Sequence, residues 1–328
     1  MPKYTNAVFY VGNFPGADDD GKIANCLKAI KDTVPAWLTA TMVFDSGAWN
    51  LHNPILIDRS IFLTSSGRGA GSCLLGWSKA VEQQGGKCVH YKNANYAGIS
   101  NLGLLFNAGE PINDCTMLHV EDCGRNRFTN LWIAPGRNSG INNIGIYHER
   151  GTGTAGRGES SWFSCMTITA PRPIVIHSGN SMTFTNADIG AYNSSSVPVS
   201  DQHVNAAFTF LNPAWQVKFR DMSVQKGKHL LYCKYQGPNC GNSLTLDDVR
   251  YEQQTDHKEP AIYYHATRAN GLFGQEMLTW IIPRCSHLPT AEQVTDVQGV
   301  NKFSIVGGWW FGADTHIGQK PKTMWDRR

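Results

Sequence analysis

The sequence predicts an all-β protein wound as one solenoid, a single-stranded parallel β-helix that opens with a short capping helix. Three observations carry this. A six-residue pattern recurs along the chain, the recurrences read as strands, and a second short alternating run precedes nearly every one.

The recurring pattern is apolar, any, usually Asn or Asp, usually apolar, any, usually apolar. Its copies are ISNLGL from Ile99, FTNLWI from Phe128, FSCMTI from Phe163, FTNADI from Phe184, FRDMSV from Phe219 and LDDVRY from Leu246. Weaker copies start at Phe273 and Phe303. Successive starts lie 21 to 35 residues apart, a period of about 29, which is the length of one solenoid unit. The alternation within each copy and its β-branched and aromatic residues indicate strands. The upstream runs cover 88–93, 117–122, 144–149, 173–178, 206–211, 230–235 and 261–266. One coil is then a run, a corner, a short strand, an Asn/Asp corner, another short strand and a return loop. A propeller would need antiparallel blades joined by tight hairpins, and Asn-Gly or Asp-Gly turn pairs are nearly absent. Asn101, Asn130, Asn186, Asp221 and Asp248 should line one corner as a ladder, because Asn and Asp tolerate left-handed backbone.

Residues 22–31 carry apolar side chains at 23, 26, 27 and 30, which is helical spacing, and Asp18, Asp19 and Asp20 precede them as N-cap candidates. This helix is expected to bury Ile23, Leu27 and Ile30 over the open first coil. The chain divides into an N-terminal strand and capping helix (1–34), the β-helix (35–310) and a C-terminal tail or cap (311–328).

Bulk properties narrow the function. The chain has 328 residues, 41% hydrophobic and 17% charged, which suits one large core beneath a neutral polar surface. A net charge of +3 without a basic run is too weak to suggest a nucleic-acid partner, and none is expected. No apolar run is long enough to span a membrane. Nine Cys without a CxxC pair or zinc spacing point to buried thiols and a reducing compartment, with a Cys233–Cys240 disulfide left open. The first residues lack the charged and apolar regions of a signal peptide, so folding in the cytoplasm is expected. Gly67-Arg-Gly-Ala-Gly lacks the Lys-Ser/Thr of a phosphate loop and reads as a turn. Trp309-Trp310 reads as end packing.

Phe14-Pro-Gly-Ala-Asp-Asp-Asp-Gly-Lys-Ile-Ala-Asn-Cys-Leu-Lys-Ala-Ile resembles the opening of pectate-lyase-superfamily proteins and phage tailspikes, where a GA…GDG…DD…AI stretch leads into a capping helix. The segment between the acidic residues and the helix is shorter here. Thr41-Met-Val-Phe-Asp-Ser-Gly-Ala-Trp is similar to the family strand ending in PxGxY, with Trp49 at the aromatic position. Residues 53–57 and 61–75 resemble its first coils and Gly-rich turn. The ordered match covers 8–106. The resemblance implies a right-handed helix of coils, a polysaccharide substrate or receptor, a virion or extracellular setting, and a homotrimer.

Strand alternation places candidate chemistry on one face. With Val89 and Tyr91 inward, His90 and Lys92 face outward. The same alternation gives His119 and Glu121, Tyr147 and Glu149, Val175 and His177, Thr209 and Leu211, Tyr232 and Lys234, and Tyr263 and His265. Aromatic faces stack on sugar C–H groups, and carboxylates, imidazoles and amines bond hydroxyls. Glu121 and Glu149 should sit on adjacent coils, roughly 4.7–4.9 Å apart at the backbone. That approaches the carboxyl spacing of about 5–5.5 Å in retaining glycosidases. Such proximity should raise one carboxyl pKa and yield an acid beside a nucleophile. Catalytic candidates are Glu121, Glu149, His119 and His177. Substrate-binding candidates are Tyr147, Arg150, Lys92, Tyr232, Lys234 and Tyr263, with Arg157 near Arg150. A lyase is the other enzymatic option, with His119 or His177 as base and Lys92 or Arg150 neutralising a uronate. No acidic cluster has Ca²⁺ spacing, and the paired-Asp and Gly-His-Gly motifs of polygalacturonases are missing, Asp247-Asp248 fitting the corner instead. No metal and no cofactor are expected. Two classes stay open: a tailspike-type depolymerase, with glycoside hydrolase slightly preferred over lyase, and a non-catalytic virion structural protein, adhesin or carbohydrate-binding module.

Overall fold

The recurring pattern forms the spine of the molecule. In the computed structural model its six strong copies lie in the strands Gly98–Phe106, Arg127–Ala134, Trp162–Ala170, Thr183–Ala191, Val217–Gln225 and Ser243–Glu252, each parallel to the next. The structure describes residues 7–107, 111–135, 140, 142–150, 160–192, 205–212, 214–236, 243–252 and 260–267, with later strands between 277 and 311.

Each of these strands contains its own corner. Asn101, Asn130, Asn186, Asp221 and Asp248 all adopt left-handed backbone, and Cys165 fills the rung between Asn130 and Asn186, with φ spanning 48° to 58° over the six. The pairing skips these residues and resumes on both sides, so all six fall on one line. Asn130 Nδ2 donates to Asn101 Oδ1 at 2.6 Å, so the amides bond along the ladder. Left-handed backbone costs an ordinary L-residue about 1–2 kcal/mol, and Asn and Asp less.

The corners bend two flanks of one fifteen-stranded sheet around the core, and a nine-stranded parallel sheet closes the coil. The closing sheet runs from Ile55–Ile57 through Lys87–Lys92, Thr116–Glu121, Ile144–Glu149, Arg172–Ile176, Ala206–Phe210, His229–Gln236 and Ile262–Thr267 to Thr295–Gln298. Among the described residues every paired strand is parallel, unlike the antiparallel blades of a propeller. Inside, the first residues of the pattern stack: Phe128 on Phe163 at 4.8 Å, Phe163 on Phe184 at 4.4 Å and Phe184 on Phe219 at 5.1 Å between ring centroids. Buried Asn126, Asn143 and Asn205 satisfy corner backbone. Asn126, for example, accepts from Ala97 N and donates to the Ala94 carbonyl, both at 3.0 Å.

Two expectations need correction. After Leu246 the aligned residues are Trp280 and Ile305, not Phe273 and Phe303. Phe303 pairs with Leu278, and Phe273 lies outside the described residues. Those weak copies matched on a phenylalanine without an Asn/Asp corner, and an apolar residue alone carries no register. The helix spans Asp19–Thr33, capped by Asp18 Oδ1 accepting from Gly21 N, and it buries Ile23, Cys26 and Ile30 while Leu27 is only partly covered. Cys26 takes the place expected for Leu27 because it too follows Ile23 by one helical turn and is small enough to meet the coil. Asp19 and Asp20 dock the helix: Asn50 N donates to Asp19 at 2.9 Å, and His52 N and Asn53 N donate to Asp20 at 2.9 and 3.1 Å. Cys233 is buried, and Cys240 lies outside the described residues, as do Arg157 and the side chains of Trp309 and Trp310.

Two substitutions test this account by chemical denaturation. Phe184→Ala should cost about 3–5 kcal/mol, the usual penalty for emptying a buried aromatic site. Cys165→Asn should gain up to about 1 kcal/mol by placing a residue suited to left-handed backbone on the rung. An unchanged or lowered midpoint for Cys165→Asn would show that rung identity does not matter there.

Candidate functional site

The register of the nine-stranded sheet sets the candidate side chains in columns. His90, His119, Tyr147, Val175, Thr209, Tyr232 and Tyr263 occupy equivalent positions on seven coils. Lys92, Glu121 and Glu149 form the neighbouring column, two residues further along their strands. His177 follows directly after Arg172–Ile176, its N–H donating to the His148 carbonyl at 2.8 Å.

These columns produce a connected cluster. The His90 ring meets His119 edge-on at 4.7 Å, His119 stacks on Tyr147 at 4.9 Å, and Tyr147 stacks on His177 at 6.3 Å. His90 Nε2 lies 2.8 Å from Glu121 Oε2, Lys92 Nζ lies 2.8 Å from Glu121 Oε1, and His119 Nε2 lies 2.7 Å from Glu149 Oε1. Lys87 stands 3.6 Å from Glu121. Asn212 Nδ2 is 2.8 Å from His177 Nε2.

Electrostatics decide what the carboxylates can do. Burial pushes the Glu121 carboxyl up, but hydrogen bonds from Lys92 and His90 and the two lysine charges outweigh it and hold it at about 2. The His119 hydrogen bond holds Glu149 below the usual carboxylate range, against burial and the nearby Glu121 charge. Burial, with His119 and Lys87 nearby, lowers His90 to about 4, so at neutral pH a neutral imidazole donates its Nε2–H to Glu121. Burial raises the Tyr147 phenol to about 12. The expectation of a raised carboxyl is therefore corrected. Each Glu has its own donors, and the attraction to them exceeds the repulsion between the two acids.

The structure brings His119, Glu121, Tyr147, Glu149, His177 and Lys92 together and adds His90, which the alternation placed outward but which was not among the site candidates. Tyr232, Tyr263 and Lys234 are elsewhere. Tyr232 stacks on Tyr263 at 4.9 Å and Tyr263 on His265 at 4.1 Å, but buried Val175 and Thr209 separate them from the first cluster. Lys234 is exposed opposite His265. Arg150 is exposed after its strand, with its main-chain N–H donating to Ser178 Oγ at 2.7 Å. Nor is the face open throughout, since His119 is only 5% exposed and Val175 and Thr209 are buried. Parallel sheets are commonly covered on both faces, and strand alternation cannot tell an outward residue from an exposed one. Arg172, buried with its charged form disfavoured by desolvation, sits close enough to the Tyr147 phenol for their charges to interact. Its position at the very start of a strand hid it from the alternation.

A concave feature lies along the corner ladder, apart from this cluster. A groove of about 480 Å³ runs over Thr167, Asp188, Asp221, Ser223, Asp248 and Arg250. Thr167, Asp188, Ser223 and Arg250 share one column, and Trp132, 40% exposed, precedes Thr167 in it. Asp221 and Asp248 were read as corner residues only. The signal missed was the outward Asp188 beside them.

No protein-family model matches the chain, and no curated protein matches it. Among solved structures it is similar to Escherichia coli YbhC (TM-score 0.55, 10% identity, covering 96% of this chain and 87% of that one). It is also similar to pectate lyase Pel9A (0.56, 10%, covering 95% and 79%) and to the Dettilon tailspike protein (0.52, 12%, covering 91% and 68%). At these identities the likeness establishes the fold, the pectate-lyase-like right-handed parallel β-helix. Among the described residues no helix is long and apolar enough to cross a membrane.

Ring stacking at the cluster's centre is open to test. Tyr147→Ala should cost about 2 kcal/mol, whereas Tyr147→Phe should stay within about 0.5 kcal/mol, because the ring rather than the hydroxyl packs between His119 and His177. Equal losses in thermal or denaturant melts would assign the stability to the hydroxyl.

Proposed function

We propose that this chain is a glycan-binding and glycan-processing β-helix protein of the tailspike or depolymerase kind, acting on bacterial surface polysaccharide. The observation that carries the reading is the join of a column of four rings in contact with two ionised carboxylates on consecutive coils. Ionised Glu121 and Glu149 accept hydrogen bonds from sugar hydroxyls, and Tyr147, its ring faces covered by His119 and His177, offers its ring edge and hydroxyl. Glu149 orients the His119 imidazole as a carboxylate does for a general base. Two ionised carboxylates leave out the protonated acid that a retaining hydrolase uses, so the geometry favours base-driven cleavage, a lyase reaction, over hydrolysis. Lys92 then supplies positive charge for an acidic sugar. Support for the setting comes from the likeness to a tailspike, and with it goes the proposal of a homotrimeric virion protein, open to test by analytical ultracentrifugation.

A second reading places the glycan in the corner groove, whose column of Thr167, Asp188, Ser223 and Arg250 is headed by exposed Trp132, the register partner of Thr167. It suits a non-catalytic adhesin or receptor-binding module. Incubation with capsular and O-antigen polysaccharides, read by product size and by the ultraviolet absorbance of unsaturated uronates, separates the two. Glu149→Gln should retain the parental melt and lose at least about 10²-fold in turnover. Full activity in that variant would remove the His119–Glu149 mechanism. Binding lost in Trp132→Ala but kept in Glu149→Gln would move the glycan to the groove.

A further inference from the structure

We infer that His90, His119 and Glu121 form a binding site for a divalent transition-metal ion of the zinc class. The inference rests on the ligand geometry and not on the glycan reading, but it shares His119 and Glu121 with it, so an ion bound there would take His119 out of the role of base. Each of the three residues offers one ligand atom, and these atoms lie within 4.8 Å of one another. Tetrahedral zinc with bonds of about 2.1 Å sets its ligand atoms about 3.4 Å apart, so modest side-chain rotations close the site. The backbone is already fixed, because His90 and His119 are register partners on adjacent strands and Glu121 is the next same-face residue after His119.

The donor set selects the metal. Two imidazoles and one carboxylate suit zinc or its neighbours, whereas calcium and magnesium take oxygen ligands. Glu149 Oε1, 2.7 Å from His119 Nε2, stands where an outer acceptor that orients this ring belongs. The His90 Nε2–H that now points at Glu121 moves to Nδ1, so that the Nε2 lone pair forms the bond to the ion, and His119 binds through the ring nitrogen that carries no hydrogen. Lys92 remains on Glu121 Oε1 as an outer partner of a carboxylate that binds the ion through Oε2. Lys87 contacts Oε2 at 3.6 Å and must swing away, which its partly exposed side chain permits. The site is shielded: His90 and Glu121 side chains are 12% and 15% exposed, and His119 6%.

The test uses the full chain, stripped with EDTA and titrated with zinc chloride. Calorimetry and elemental analysis after dialysis should show one zinc retained per chain, together with a raised melting temperature. His90→Gln and His119→Gln should each lose at least tenfold in affinity, whereas His52→Gln, whose ring meets Ser78 away from the cluster, should bind as the parent does. No retained zinc, or equal affinity in the cluster variants, overturns the assignment. Should a cluster variant fail to fold, zinc X-ray absorption on the parent decides: two imidazole nitrogens in the coordination sphere support the site, and fewer overturn it.

Discussion

A single backbone conformation repeated at one corner governs this molecule. Left-handed φ at Asn101, Asn130, Cys165, Asn186, Asp221 and Asp248 turns each long strand around the core at the same point. Because the turn takes one residue, it has no slack. A slip of one position in any coil would replace the rung residue, in one direction by an apolar neighbour such as Leu102, Leu131 or Met222, and would reverse every side chain that follows. The aligned rungs therefore set where Phe128, Phe163, Phe184 and Phe219 meet inside. The closing sheet inherits the resulting pitch, and His90 stands above His119, and Glu121 above Glu149, for that reason.

Much of this was legible because corner and core are specified by different residue types. Asn or Asp two places after an apolar, often aromatic, residue marks the rung, and the alternating run upstream marks the closing strand. All seven upstream runs paired in the columns that alternation assigned. Where the corner residue was lost, after Asp248, the apolar pattern could not hold register, and Phe273 and Phe303 were misaligned with the true partners Trp280 and Ile305. Cys165 shows the converse: a residue poorly suited to the rung is held there by neighbouring coils. The state of the candidate site was less legible. Alternation gave direction but not cover, so buried Val175 and Thr209 appeared as outward positions, and charge state depended on cross-strand partners such as Lys87 and Lys92 for Glu121.

The cluster also shows how a solenoid can assemble chemistry from single residues. One coil contributes His90 and Lys92, the next His119 and Glu121, the next Tyr147 and Glu149, and adjacent strands bring them to hydrogen-bond and stacking distance. Ions and rings thus interact along the helix axis, between residues about one period apart in sequence. Such a site can be rebuilt by point substitutions within one column without touching the ladder or the phenylalanine stack.

The acidic run before the helix has a bearing on the order of events during synthesis. Asp19 and Asp20 fasten the helix to the main-chain N–H groups of Asn50, His52 and Asn53, so the sealed end is complete once the first coil has left the ribosome. In a linear array each unit contacts only its neighbours, and a finished edge templates the next. Translation presents the N-terminal units first. The chain therefore emerges with its growth front already defined, and each later coil meets a preformed strand edge at the moment it is released.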